Sequence, residues 1–222
     1  MRIVVLSDVH CAGLDDPIQQ EFVVWLDQLE ADALWMLGDI FHWGWSFGSG
    51  TQSAIQPVVD ALERAEKRGV ELLFVGGNHD FAMGQALSEV LVIEVRDAHV
   101  REVCGRRVFL AHGDEADQTF GYRLVHRLIH SSLFAGVIAS LGEDTGTWVL
   151  HKLAGDQKTD WFQDTDRRAR DWLKGHLGGG TTLAMCGHFH LASHERHECG
   201  EVVTLGAGGG WAAVWLVDGA LV

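Results

Sequence analysis

The sequence predicts an α/β protein, a two-sheet sandwich with helices on its outer faces. Three observations lead there. Strand-like and helix-like patterns alternate over the first third of the chain, which indicates layered α/β architecture. Short strands recur in the last quarter and call for a second sheet. Finally, five short apolar runs each stop at a residue suited to hold a cation, and ligands of open α/β sheets gather at the carboxyl ends of strands.

The elements follow in order. Residues 2–7 read as a buried strand. Residues 17–30 read as a helix, because Ile18, Phe22, Trp25, Leu26 and Leu29 share one face, with Asp16 as N-cap and Pro17 in the first helical position. Residues 33–37 form the second strand, and the loop from Phe41 to Gly50, rich in Trp, Phe and Gly, is expected to line or cover something. A helix over about 54–68 places Val58, Val59, Leu62 and Ala65 inward, and strand 71–75 follows. Residues 98–103 and 107–112 read as a hairpin around Gly105. Residues 118–141 and 163–177 read as helices, and strands recur near 183–187, 193–198, 201–206 and 212–217.

Size and composition narrow the function. The chain of 222 residues suits one domain, 1–222, with an ordinary hydrophobic fraction of 47%. A net charge of −14 argues against a nucleic-acid surface. The four cysteines, Cys11, Cys104, Cys186 and Cys199, show neither zinc-finger pairing nor a disulfide framework. The N-terminus runs directly into a strand, so no signal peptide is expected and a reducing cytoplasm is the simplest compartment. No apolar stretch approaches the length needed to span a bilayer.

The five strand ends carry the chemistry. Asp8 and His10 follow the first strand, Gly38-Asp39 the second, and Gly77-Asn78-His79-Asp80 the third. His112-Gly113-Asp114 and Gly187-His188-Phe189-His190 close two later ones. Carboxylate, imidazole and amide oxygen together suit divalent Mn, Fe or Zn, and the scarcity of cysteine argues against a structural zinc. A carboxylate that bridges two cations allows them to share a hydroxide and stabilise in-line displacement at phosphorus.

The ordered set Asp8-x-His10, Gly38-Asp39, Gly77-Asn78-His79-Asp80, His112 and Gly187-His188-Phe189-His190 resembles the calcineurin-like metallophosphoesterase signature. The resemblance implies an αββα sandwich of the metallophosphoesterase type, with a helical lid or insertion within about 118–178 near the active site. It implies two divalent cations, manganese favoured, with iron or zinc also suited. Asp8, His10, Asp39 and His190 would hold the first. Asp39, Asn78, His112 and His188 would hold the second, with Asp39 as the bridge. His79 would sit over the substrate phosphoryl group, donating to its oxygen or protonating the leaving group, and Asp80 would orient His79.

Features beyond the ligand blocks resemble one bacterial branch. They are Leu37-Gly38-Asp39-Ile40-Phe41, Asn78-His79-Asp80-Phe81 with Gly84, Gly105-Arg106-Arg107-Val108 and Gly121-Tyr122-Arg123. The branch is the UDP-2,3-diacylglucosamine diphosphatase family of lipid A biosynthesis. Its members hydrolyse that pyrophosphate at the cytoplasmic face of the inner membrane, so a phosphorylated lipid substrate and peripheral membrane contact are implied. An Arg typically stands in that branch where this chain has His79. From Thr119 to Leu141 no acidic residue occurs, and Arg123, His126, Arg127 and His130 share a face opposite an apolar one. Tyr122, Arg123 and Arg127 are thus candidate substrate contacts, with Lys152 and Lys158 further along without an assigned role. The same site would also suit a phosphodiesterase, nucleotidase or protein phosphatase. A non-catalytic scaffold on this fold would be expected to lose ligands or His79, and both are kept. His42, His99, His151, His176, His194 and His197 read as surface or packing residues.

Overall fold

The computed structural model describes residues 1–42, 49–80, 83–116, 162–206 and 211–222. Strand β1 (Arg2–Ser7), helix α1 (Pro17–Gln28), β2 (Ala33–Leu37), α2 (Ser49–Lys67) and β3 (Glu71–Val75) build two successive strand–helix–strand units with parallel strands. They are followed by α3 (Met83–Ser88), β4 (Ile93–Arg96), β5 (His99–Val103), β6 (Arg106–Ala111) and a 3-10 turn at Asp114–Ala116. Among the described residues the chain continues with α4 (Phe162–Lys174), β7 (Thr181–Cys186), β8 (Ser193–His197), β9 (Gly200–Thr204), β10 (Ala212–Val217) and β11 (Ala220–Leu221).

Two sheets form, in the orders β11-β10-β1-β2-β3-β4 and β5-β6-β7-β9-β8. Strand alternation explains why both are buried on two faces. Ile3, Val5, Trp35, Leu37, Leu73 and Val75 point between the sheets, against Val108, Leu110, Leu183, Met185 and Val203. Their neighbours Val4, Leu6, Leu34, Met36, Leu72 and Phe74 point outward onto Phe22 and Leu26 of α1 and Val58, Leu62 and Ala65 of α2. The outer face of the second sheet, Phe109, Ala111, Ala184, Cys186 and Val202, is covered by Ala169 and Leu173 of α4. The result is the αββα sandwich the sequence predicts.

Local chemistry sets the boundaries. The Asp16 carboxylate accepts from the Ile18 N–H, and Pro17 opens α1, as expected. The β5–β6 hairpin turns on Cys104 and Gly105, both at positive φ (48° and 75°), the geometry of a two-residue turn matched to strand twist. The structure extends the sequence reading at several places. α2 begins at Ser49, and α3, the edge strand β4 and the two-residue β11 are additional. Within the segment expected as a lid or insertion, 118–178, the described part begins at residue 162, and there the helix expected over 163–177 buries Ala169 and Leu173 against the second sheet. The 118–141 helix lies outside the described residues.

Candidate metal centre

The site forms where the parallel strands end level with one another. Leu37 pairs with Val75 across β2–β3, and Ala111 pairs with Cys186 across β6–β7. Past the ends of β1 and β2 the backbone goes on pairing. The Asp8 N–H donates to Gly38 O (3.0 Å), His10 to Asp39 O (3.0 Å) and Cys11 to Ile40 O (2.9 Å), and the His42 N–H returns to Cys11 O (2.9 Å). This ladder holds residues in conformations they would not choose. Asp8, His10, Asp39, His188 and His190 all lie at positive φ, between 51° and 72°. Such backbone costs roughly 1–3 kcal/mol per residue and persists only where the surroundings over-determine it. Candidate ligands therefore sit where the strain is stored.

Close approach requires glycine beside them. A Cβ on Gly77 would lie 2.3 Å from Asp39 Oδ1, and one on Gly187 would lie 1.7 Å from Ser7 Oγ. Both positions let one strand-end loop nest on the next.

Three groups of side chains converge tightly enough to hold a cation: Asp8, His10 and His190; Asp39, His112 and His188; and, without a carboxylate, His10, His42 and His79. The two that include a carboxylate are the better matched to a dication. In the first, His10 Nε2 and His190 Nε2 are 3.3 Å apart, and His190 Nε2 lies 3.7 Å from Asp8 Oδ1. Ligand atoms on one cation with metal–nitrogen bonds of about 2.0–2.1 Å are separated by about this much. In the second, His112 Nε2 is 3.4 Å from Asp39 Oδ2 and 3.1 Å from Asn78 Oδ1. Asp39 Oδ2 also lies 3.9 Å from His10 Nε2 and from His79 Nε2, so it stands between the two groups.

The tautomer of His112 tests the fit. Its Nδ1 faces the Leu37 carbonyl at 2.8 Å, and a carbonyl only accepts, so Nδ1 carries the proton. In the neutral ring Nε2 then aims a lone pair at two oxygens. That arrangement is repulsive unless Nε2 is protonated or a cation collects all three lone pairs. An imidazole braced by a backbone carbonyl on its far nitrogen is also the usual support for a metal-bound histidine. The donor set fits divalent cations.

Electrostatics agree with the geometry. Burial lowers His10 and His188 to about 4 and His79 to about 3, which keeps these rings neutral with a lone pair to offer. Burial works against the Asp39 charge, yet His112, His79 and His10 around it hold its carboxyl well below the usual range. Burial works against the His112 charge too, but Asp39, Asp114 and Asp8 together outweigh it and raise His112 well above its ordinary value. Burial, helped by Asp39, raises Asp80 to about 7.

The structure places Asp8, His10, Asp39, Asn78, His79, His112, His188 and His190 at one end of the sandwich. Asp80 is there too, but its described bonds are with backbone: it accepts from Gly77 N–H (2.7 Å) and Ile40 N–H (2.8 Å). It ties the β3 loop, which carries His79, to the β2 loop. The His79 N–H in turn donates to Asp39 Oδ1 (2.8 Å). His42, read from sequence as surface or packing, comes within reach of His10 and His79. Its signal was the Gly38-Asp39-Ile40-Phe41 run, whose apolar residues anchor it beside the first loop. Tyr122, Arg123, Arg127, Lys152 and Lys158 lie outside the described residues.

A sandwich that gathers carboxylate, amide and imidazole groups at the carboxyl ends of its strands defines a metal-dependent hydrolase. A family model described as calcineurin-like phosphoesterase matches residues 1–205, and the chain belongs to that family. It is therefore a metallophosphoesterase, a hydrolase of phosphoester bonds that works with divalent metal. Among curated proteins it is similar to UDP-2,3-diacylglucosamine hydrolase of Yersinia pseudotuberculosis, at 24% identity over 236 residues, covering 100% of this chain and 94% of the relative. The protein of that name from Yersinia pestis is likewise 24% identical over 234 residues. Among solved structures, the phosphoesterase Yfce from E. coli aligns with a TM-score of 0.49 at 17% identity, over 100% of this chain and 97% of that one. Among the described residues no helix is long and apolar enough to cross a membrane.

Proposed function

We propose that the chain is a dinuclear phosphoesterase that hydrolyses the pyrophosphate of UDP-2,3-diacylglucosamine or a similar lipid or nucleotide-sugar substrate. The observation that carries the dinuclear site is the position of Asp39 Oδ2, within 4 Å of nitrogens from His10, His79 and His112. Asp8, His10 and His190 would hold one cation and Asn78, His112 and His188 the other, with Asp39 shared between them. Two cations there supply Lewis acidity and neutralise charge at the reacting phosphorus. The substrate class is supported by the full-length likeness to the Yersinia hydrolases.

The protein's own groups then divide the work. Ser7 Oγ donates to Leu37 O (2.9 Å), and Asp80 clasps Gly77 and Ile40, so the loops are aligned before substrate arrives. His79, neutral and near Asp39, donates its N–H to a phosphoryl oxygen. Manganese is the favoured metal. An apolar, cationic helix at 118–141, with Tyr122, Arg123 and Arg127, would meet the acylated sugar and the surface of the inner membrane. Smaller phosphodiesters or nucleotides form the second reading, favoured by His79 in place of the branch's Arg.

A panel of UDP-2,3-diacylglucosamine, UDP-sugars and simple nucleotides tests the substrate. Release of UMP from the acylated compound alone supports the lipid reading, and equal turnover of every compound rejects it.

A further inference from the structure

Resting on that reading of His79, we infer that His42 is a second substrate-contacting imidazole, which takes an oxygen of the same phosphoryl group. Three observations meet at this residue. Its backbone is fixed: Phe41 is fully buried and bridges to Cys11, and the His42 N–H donates to Cys11 O at 2.9 Å. The ring lies beside the centre, with its centroid 5.6 Å from that of His79 at an interplanar angle of 32°, and 5.8 Å from that of His10 at 73°. One ring nitrogen from each of His10, His42 and His79 falls within 4.8 Å of the others, and all three rings are partly open to solvent.

The composition of this trio separates it from the two cation groups. Each of those contains a carboxylate, Asp8 or Asp39, whose charge offsets a dication. The His42 trio has none, and His10 already belongs to the Asp8 group. Asp39 Oδ2 lies 3.9 Å from Nε2 of His10 and of His79, so this trio borders the proposed cation positions, and its N–H groups would meet an anionic phosphoryl oxygen bound there. Hydrogen bonds from such donors to an anion are the strong, short kind. His42 and His79, side by side, offer two donors to the oxygens of one tetrahedral group. His42 thus fixes the orientation of the phosphoryl group, with His79 as its partner.

The test uses the Mn-loaded full chain and inorganic phosphate as probe. His42→Ala removes the ring. His42→Phe keeps its edge and face but removes the N–H. Both variants are expected to raise the inhibition constant of phosphate and lower kcat/KM on a chromogenic bis-phosphodiester by roughly 10- to 100-fold, the worth of one hydrogen bond to a charged group. Both are expected to keep two metals per chain. In the wild-type protein, phosphate is expected to protect His42 from carbethoxylation, mapped by mass spectrometry, which reads the contact even if a variant fails to fold. Wild-type behaviour of His42→Phe would make the ring a packing element and overturn the inference. Loss of a metal from either variant would make it a ligand, with the same result, as would His42 labelling unchanged by phosphate. Wild-type turnover with unaffected His42 variants removes this inference alone. Absence of wild-type turnover with every divalent metal removes the parent reading, while the labelling still reports on phosphate at His42.

Discussion

The floor and the rim of this site both carry histidine but are different chemical environments, because the aspartates lie at the floor. Side chains of Asp8, Asp39 and His112 are 0%, 2% and 0% exposed, whereas His10, His79 and His190 are 20%, 15% and 32% exposed. At the floor, polar atoms are committed to the protein: His112 Nδ1 to Leu37 O, Asp8 to the His188 N–H and Asp39 to the His79 N–H. At the rim, rings converge on one another across a partly open face. The contrast teaches that a histidine's role here is set by what its far side touches. His112, braced by backbone and facing Asp39, is closed around a cation position, whereas His10 and His190 reach theirs from the open edge and His79 faces what arrives from solvent.

The most severe break in this contrast is removal of the floor's central charge. Asp39→Asn is expected to lower turnover of a chromogenic bis-phosphodiester by ~10³-fold or more and to reduce bound metal below two per chain, as metal analysis would show. Retention of both activity and metal would dissolve the distinction. His79→Ala, at the rim, is expected to lower kcat by ~10²-fold, within the range of lost proton-donor catalysis, while leaving both metals bound. A loss of metal would move His79 to the floor.

Two adjacent glycines sharpen the comparison further. A Cβ on Gly77 meets Asp39 Oδ1 at 2.3 Å, and one on Gly76 meets nothing within 4 Å. Gly77→Ala is expected to destabilise by about 1–3 kcal/mol in urea melts and to lose activity through displaced Asp39. Gly76→Ala should stay within about 0.5 kcal/mol of the parent.

The contrast can also be read in the acid stability of the metal-free protein. His10, His79 and His188 have folded pKa values of about 4, 3 and 4, below the unfolded value of 6.5. Between those limits the unfolded chain binds more protons, so stability falls as pH drops from 6.5 toward 4, by up to about 1.4 kcal/mol per pH unit for each ring. His112, raised by Asp39, contributes oppositely: its share is full below 6.5 and is lost as pH rises through its folded value. Thermal melts from pH 7 to pH 4 should show the decline, and a midpoint independent of pH over that interval would mean these rings are not buried neutral.

Much of this was legible in the sequence because it is written in short-range pattern. Buried strands β1, β2, β3 and β7 are nearly continuous apolar runs, and the Asp16-Pro17 pair marks the start of α1. The ligand candidates stood directly at strand ends. What was illegible depended on partners distant in the chain. β4 is an edge strand, Ile93–Arg96, with three half-buried residues and an exposed Arg96, stabilised by pairing with β3 rather than by its own pattern. Asp80 looked like a partner for the neighbouring imidazole, yet the Ile40 N–H that it accepts is supplied from 40 residues away. His42 stood just past the Gly38-Asp39-Ile40-Phe41 run, and the register between the first two loops carries it to His10.

The run of main-chain bonds from Asp8 to His42 has a consequence for how readily the site takes up its ions. Because these loops are continuations of the central sheet, their shape is settled when the sheet forms. Loading then orders little new chain, and the entropy usually lost when a floppy chelating loop wraps a cation is already spent during folding. Amide protons of Asp8, His10, Cys11 and His42 should accordingly exchange with deuterium at strand-like rates before any ion is added.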